Sequence, residues 1–173
     1  MSALLSADAL ALGKPSCTYC SGYGRRSILR GPEVICACVW RAVFRACYRR
    51  FRECAGSAGH INGISFERCG GPSGYRVYSR KREEFAADFV LLARRSLGLE
   101  ELAVFNSHFL LGADWRLCCR QMHIDRGAFF HLVYAVEVRM GRVYAECDPY
   151  SLFPVAGYFA GVVRKSPVVG RVA

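Results

Sequence analysis

Ten cysteines stand in this chain of 173 residues, and four of them fall at spacings that suit a metal ion. Cys17 and Cys20 form a Cys-x-x-Cys followed by Gly22 and Gly24 in CTYCSGYG, and Cys36 and Cys38 make a second close pair in ICAC. Thiolate sulfur is a preferred ligand of zinc, and two cysteines with two residues between them supply half of a tetrahedral site. Glycines beside them let backbone N–H groups turn toward the sulfurs, and a second pair completes the shell. The expectation is a structural Zn2+ held by Cys17, Cys20, Cys36 and Cys38 across a loop of 15 residues. The second pair is one residue tighter than Cys-x-x-Cys, so Cys54, Cys69 and His60 stand as alternatives for one ligand. Four thiolates also suit iron. A catalytic zinc is not expected, because such a site keeps an open position and carries His or carboxylate ligands near a general base, and none is apparent.

A second constellation lies in CCRQMHIDRGAFFHLVYAVEVRMG, residues 118–141. Cys119 is a small residue inside one helix, Met122 and Ile124 flank a tight turn at His123, and Asp125 can cap the helix that follows. Phe129, Val133, Val136 and Met140 recur at helical spacing as a buried stripe. That leaves Arg126, Gly127, Phe130, His131 and Tyr134 facing outward. This pattern resembles helix-turn-helix proteins, especially the sigma-factor region 4 type and the small regulators carried by phages and mobile elements. The resemblance covers about a quarter of the chain with its lead-in helices. It implies a second helix lying in the major groove of DNA. Two departures stand out: His123 occupies the turn position where the family usually has glycine, and Phe130 and Tyr134 stand where base-reading residues are commoner. The cysteine segment in turn resembles zinc-ribbon and treble-clef modules, and CTYCSGYG alone looks like one unit of the repeat of DnaJ-type chaperones.

Charge is concentrated in the first half. The segment from Lys14 to Arg82 carries 14 basic residues against the acids Glu33, Glu53 and Glu67, within a total of +10 for the chain. Arginine dominates it, and its planar fork suits phosphate oxygens. In VWRAVFRACYRRFREC, Trp40, Phe44, Cys47, Tyr48 and Phe51 form an apolar stripe at spacings of three and four. Arg41, Arg45, Arg49 and Arg52 line another face. Four arginines in a row repel one another unless an anion lies along them, and a phosphate backbone or an acidic protein surface would serve.

The elements that must position these groups read as helices. The expected fold is mainly α, a small zinc-binding module followed by a helical bundle containing a helix-turn-helix. Residues 1–13 form a leader without an assigned role, 14–54 the zinc module with its basic helix, and 55–78 a glycine-rich connection. Residues 79–146 form the helix-turn-helix domain and 147–173 a C-terminal extension. Within the connection, INGISF and YRVY are expected as strands of a hairpin. Ser79 is expected to cap a helix carrying Phe85, Phe89 and Leu92; Leu102, Phe105, Phe109 and Leu110 supply the core face of the next, which Gly112 ends. Asp114 caps the helix Trp115 to Met122. The extension is expected to pack back through Leu152, Phe153, Tyr158 and Phe159, and Arg164, Lys165 and Arg171 can form a basic arm.

A hydrophobic fraction of 53% excludes a disordered chain. No stretch is apolar enough for a membrane span, and the start MSALLSADALALGK lacks a basic n-region, so a cytoplasmic location, in a bacterial cell or its nucleoid, is expected. The absence of a P-loop, Gly-x-Ser-x-Gly, His-Glu-x-x-His or paired acids argues against an enzyme. Two function classes follow. One is a sequence-specific DNA-binding transcription regulator acting on double-stranded DNA, with Arg41, Arg45, Arg49 and Arg52 on phosphates and Arg126, His131 and Tyr134 on the base-reading face. The other is a zinc-containing adaptor binding RNA polymerase or RNA, with Phe130 and Tyr134 as apolar anchors.

Overall fold

Apolar residues at helical spacing form helix throughout this chain, and the longest such run supplies its central element. In the computed structural model, which describes residues 7–28, 31–61, 73–147 and 150–160, a short helix α1 (Ala7–Leu10) precedes strands β1 (Arg25–Arg26) and β2 (Val34–Ile35). Then come α2 (Ala37–Ile61), α3 (Ser73–Ser96), and α4 (Leu99–Val104) running into a π-helical turn, Phe105–Leu110. Helices α5 (Trp115–Met122), α6 (Arg126–Glu146) and α7 (Val155–Ala160) complete the order. The strands pair antiparallel, Arg25 opposite Ile35 and Arg26 opposite Val34. The chain is thus mainly helical with a cysteine-rich module near its start, as its sequence implies. No helix among the described residues is long and apolar enough to cross a membrane.

One apolar core joins the two halves. Val39, Val43, Phe44 and Cys47 of α2 are buried together with Phe85, Phe89 and Ala93 of α3 and Val136, Met140 and Tyr144 of α6. Aromatic rings dominate it: Phe89 stacks on Phe51 at 4.6 Å and on Tyr144 at 4.8 Å between centroids, and Phe44 meets Phe109 edge-on at 4.9 Å. Rings at these separations add attraction beyond the area they bury. The buried Tyr144 hydroxyl donates to the Phe89 carbonyl at 2.9 Å, so its polar atom is satisfied. The basic helix assigned to the zinc module is therefore also the spine of the bundle, and its stripe is core as the sequence indicates.

Helices α2 and α6 touch backbone to backbone. A Cβ placed on Gly141 would lie 1.9 Å from the carbonyl oxygen of Trp40, so only glycine allows this approach. The C-terminal segment closes the assembly: Leu152 and Phe153 are buried, the Phe153 N–H donates to the Tyr144 carbonyl at 3.1 Å, and the Tyr158 hydroxyl donates to Asp88 at 2.9 Å.

Two expectations are corrected. YRVY is not a strand but the opening of α3, and Ser79 lies inside that helix rather than capping it; the core contacts of Phe85 and Phe89 favour helix, and tertiary context overrides local propensity. The helix through Leu102 and Phe105 ends at Gly112, at φ 71°, as expected, and α4 widens into the π turn on the way. The leader, to which the sequence assigns no role, forms the short helix α1 and buries Ala9 in the core. The part of INGISF beyond Ile61, Cys69, and the basic arm Arg164, Lys165 and Arg171 lie outside the described residues.

Gly141→Ala should destabilise the protein by about 2–3 kcal/mol, because α2 and α6 must separate to admit the methyl group. Gly56→Ala, in α2 where an added Cβ would meet nothing within 4 Å, should instead stabilise by roughly 0.5–1 kcal/mol. Denaturant unfolding of both variants checks the pair of opposite signs.

Candidate functional site

The Cys17–Cys20 segment folds into a tight knuckle. The Ser21 N–H donates to the Cys17 carbonyl and the Tyr23 N–H to the Cys20 carbonyl, both at 2.8 Å. Ser21, Gly22 and Gly24 take φ of 45°, 92° and 72°. At Gly24 a side chain would be excluded twice, by that φ and by the Leu10 carbonyl oxygen 2.8 Å from its Cβ position. Cys36 follows the end of β2, with its N–H on the Gly24 carbonyl at 2.9 Å, and Cys38 sits in the first turn of α2. The chain changes from strand to helix between them, and this is why one intervening residue suffices to aim both sulfurs inward.

All four ligand atoms lie within 4.8 Å of one another. Cys17 and Cys36 sulfurs are 3.7 Å apart and those of Cys20 and Cys38 are 3.4 Å apart. A tetrahedral ion with metal–sulfur bonds of about 2.3 Å needs sulfurs about 3.8 Å apart, so the donor set fits a metal. No disulfide forms, since all four cysteines are free and a bond needs about 2.05 Å. Backbone N–H groups of Tyr19 and Cys20 hold the Cys17 thiol down at about 6. Burial pushes Cys36 up and Cys38 up to about 12, a rise partly opposed at Cys38 by the backbone N–H of Lys14. A bound cation reverses that penalty by deprotonating its thiols, and the helix dipole at the start of α2 favours the same anionic form.

Of the alternatives for a fourth ligand, two are removed by geometry. Cys54 and His60 lie on α2, 16 and 22 residues beyond Cys38, about 24 and 33 Å of helix rise away. Cys54 is buried in the core instead.

The arginine line of α2 is partly spoken for. Glu137 of α6, only 5% exposed, accepts from Arg41 Nε through Oε2 and from Arg45 Nε through Oε1, the latter at 3.0 Å. The Arg41 guanidinium also lies 4.6 Å from the ring centre of Tyr134. Of the four arginines expected to meet phosphate, Arg41 and Arg45 thus have an internal anion beside them. Arg49 and Arg52 are exposed. Glu137 is the residue the sequence reading missed, although its spacing from Val133, Met140, Gly141 and Tyr144 places an acid on an apolar stripe, which is itself a signal.

Helices α5 and α6 form a compact unit. Asp114 Oδ1 accepts from the Leu117 N–H and Asp125 Oδ1 from the Ala128 N–H, both at 2.8 Å. Between them His123 adopts the left-handed conformation, φ 54° and ψ 41°, with its N–H on the Cys119 carbonyl. Val104, Cys118 and Phe129 form a separate small core, with Trp115, Met122, Ile124 and Leu132 packed around it. His108 helps fix the entry to α5, its Nδ1 donating to the Ala113 carbonyl at 2.9 Å. Outside this core Arg116, Arg120, Arg126 and His131 are exposed. The Arg126 guanidinium lies over Trp115 at 5.2 Å and Phe130 at 5.7 Å. Arg126, His131 and Tyr134 therefore share the outward side of α6, and Tyr134 meets the α2 line through Arg41.

No protein-family model matches the chain, no curated protein is significantly similar to it, and no solved structure matches its fold.

Two outcomes check these assignments. Cys38→Ser should abolish tight binding of Co2+, read from the absorption of tetrahedral thiolate coordination, while Cys54→Ser should leave that spectrum intact. Glu137→Ala should destabilise the protein by about 1–3 kcal/mol in thermal or denaturant unfolding, because two arginines lose a buried partner. Half-exposed Arg45 contributes the smaller share.

Proposed function

We propose that this protein is a sequence-specific DNA-binding transcription regulator with a structural zinc ion. In this reading α5, the His123 turn and α6 act as a helix-turn-helix of the kind that region 4 of sigma factors and phage-type regulators carry. The observation that supports it most is the turn itself. A left-handed residue stands between two Asp-capped helices, backed by a small core of Cys118, Met122, Ile124 and Phe129, and the first turns of α6 present Arg126 and His131 to solvent.

Arg126 and His131 would reach base edges from the first turns of α6, while Arg116 and Arg120 on α5 and Arg49 and Arg52 on α2 contact phosphates. Zinc at Cys17, Cys20, Cys36 and Cys38 supplies no chemistry here; it fixes the start of α2, and through α2 the bearing of α6. The knuckle, the short hairpin and the helix start occur in the order of treble-clef modules, which favours zinc over iron. Such a regulator acts where its DNA is, in the cytoplasm or nucleoid of a bacterial cell.

A second reading is favoured by a specific observation: Phe130 is 45% and Leu117 40% exposed beside Trp115, an apolar patch that suits an adaptor docking on RNA polymerase or RNA. Selection of bound duplexes from a random pool at two salt concentrations separates the two. A defined motif that survives higher salt, and that relaxes by about 1–3 kcal/mol of discrimination at one position in Arg126→Ala, is the expected result. Binding that vanishes with salt and ignores the substitution leaves the adaptor reading. The purified protein should be colourless, since iron in four thiolates absorbs visible light, and chelation should unfold its first segment.

A further inference from the structure

The cysteine module carries a cleft that the reading above leaves unused. It has a volume of about 520 Å3 and is bordered by Tyr19, Tyr23, Arg25, Arg26 and Glu33. Tyr19 and Tyr23 flank Cys20 in sequence, one inside the knuckle and one just past it, and they are 71% and 84% exposed. Buried tyrosines in this chain are packed in the core, as Tyr144 is; these two face solvent from a segment whose backbone is fixed by Cys17 and Cys20 on one side and by the Gly24 approach to Leu10 on the other.

Rigid exposed rings beside cations are the composition of a stacking site for bases. Arg26 already lies over the Tyr19 ring, 5.9 Å from its centre, so a planar π-system is held next to a guanidinium that can turn its N–H edge to phosphate. Arg25 adds a second cation, and Glu33 is the single acid among the described residues that line the cleft. The volume falls within the roughly 300–1,000 Å3 of small-ligand sites, enough for an unpaired base with its sugar. An acidic peptide would satisfy the arginines but would leave the two rings without a reason to be exposed. A base satisfies both.

We propose that the cleft formed by Tyr19, Tyr23, Arg25 and Arg26 on the cysteine module binds unpaired bases of single-stranded nucleic acid, the rings stacking on bases and the arginines meeting the backbone. Such a site tolerates many sequences, because every base has a π-face, and it loses affinity with salt. It shares with the reading above only that the partner is nucleic acid. Duplex recognition by α6 and stacking at the knuckle fail separately.

The test uses the full-length, metal-loaded protein, a labelled oligothymidylate, the same strand built of abasic sugar-phosphate, and a polyglutamate peptide as competitor. The wild type should bind the abasic strand more weakly than the oligothymidylate by on the order of 5- to 100-fold. Joint Tyr19→Ala and Tyr23→Ala should lower oligothymidylate affinity by a similar factor with the salt slope unchanged, the Phe variants should keep it, and the motif selected through Arg126 should not move. Metal content reports that the module stays folded in each variant. Equal binding of the two strands by the wild type overturns the proposal without any variant. So does an Ala variant that loads metal and binds as well as the wild type, or a polyglutamate competitor whose effect depends on the two tyrosines.

Discussion

The carbonyl of Trp40 rests against Gly141, and the other contacts between α2 and α6 take their register from that approach. Trp40 is in the first turns of α2, two residues after Cys38, so the point where α2 meets α6 is also the point where α2 leaves the cysteine cluster. From there α2 sends Phe44 and Cys47 into the core and Arg41 and Arg45 across to Glu137. A helix pinned at its start by four sulfurs and at its first turns by a backbone contact has little freedom to rotate. The outward side of α6 inherits that fixity, because Arg41 lies against Tyr134.

Electrostatics sort the positive charge into two populations. Arg41 and Arg45 share one carboxylate buried among apolar neighbours, whose desolvation cost is offset because two guanidiniums meet it. Arg139 reaches Glu101 at 2.7 Å and Arg80 reaches Glu84 at 3.0 Å; these pairs are more exposed and hold less. Arg25, Arg26, Arg116, Arg120 and Arg126 instead sit beside exposed rings or on open helix faces. Exposed positive charge therefore stands at the knuckle, at Arg49 and Arg52 of α2 and at the α5–α6 turn, while Arg41 and Arg45 share the charge of Glu137.

The parts of the structure legible in the sequence are those with a local chemical reason. Asp114 and Asp125 can only be read as caps, His123 is among the residues that tolerate a left-handed φ, and the Phe129, Val136 and Met140 stripe follows from helical spacing alone. The Cys-x-x-Cys knuckle is equally local. The tight second pair was ambiguous because its geometry depends on a strand turning into a helix at Ala37, which spacing does not reveal. Glu137 was missed as the partner of Arg41 and Arg45, which lie more than 90 residues earlier, and the opening of α3 was hidden by glycine and tyrosine residues whose propensities favour turns and strands. The merging of both halves into one core has no local signature either: it rests on a glycine that looks, in sequence, like a helix end.

The sulfurs of Cys20 and Cys38, 3.4 Å apart, have a redox consequence. Without an ion between them these two thiols are neighbours, and a two-electron oxidant such as another disulfide could join them, taking up their electrons and protons, after a movement of little more than an ångström. A metal bound by all four sulfurs blocks that reaction, and a disulfide once formed removes two of the four ligands. Occupancy by metal and oxidation are thus mutually exclusive states of one cluster. The start of α2 is tethered in both, but the knuckle stays open to a cation in only one, and a reducing surrounding is what keeps that choice available.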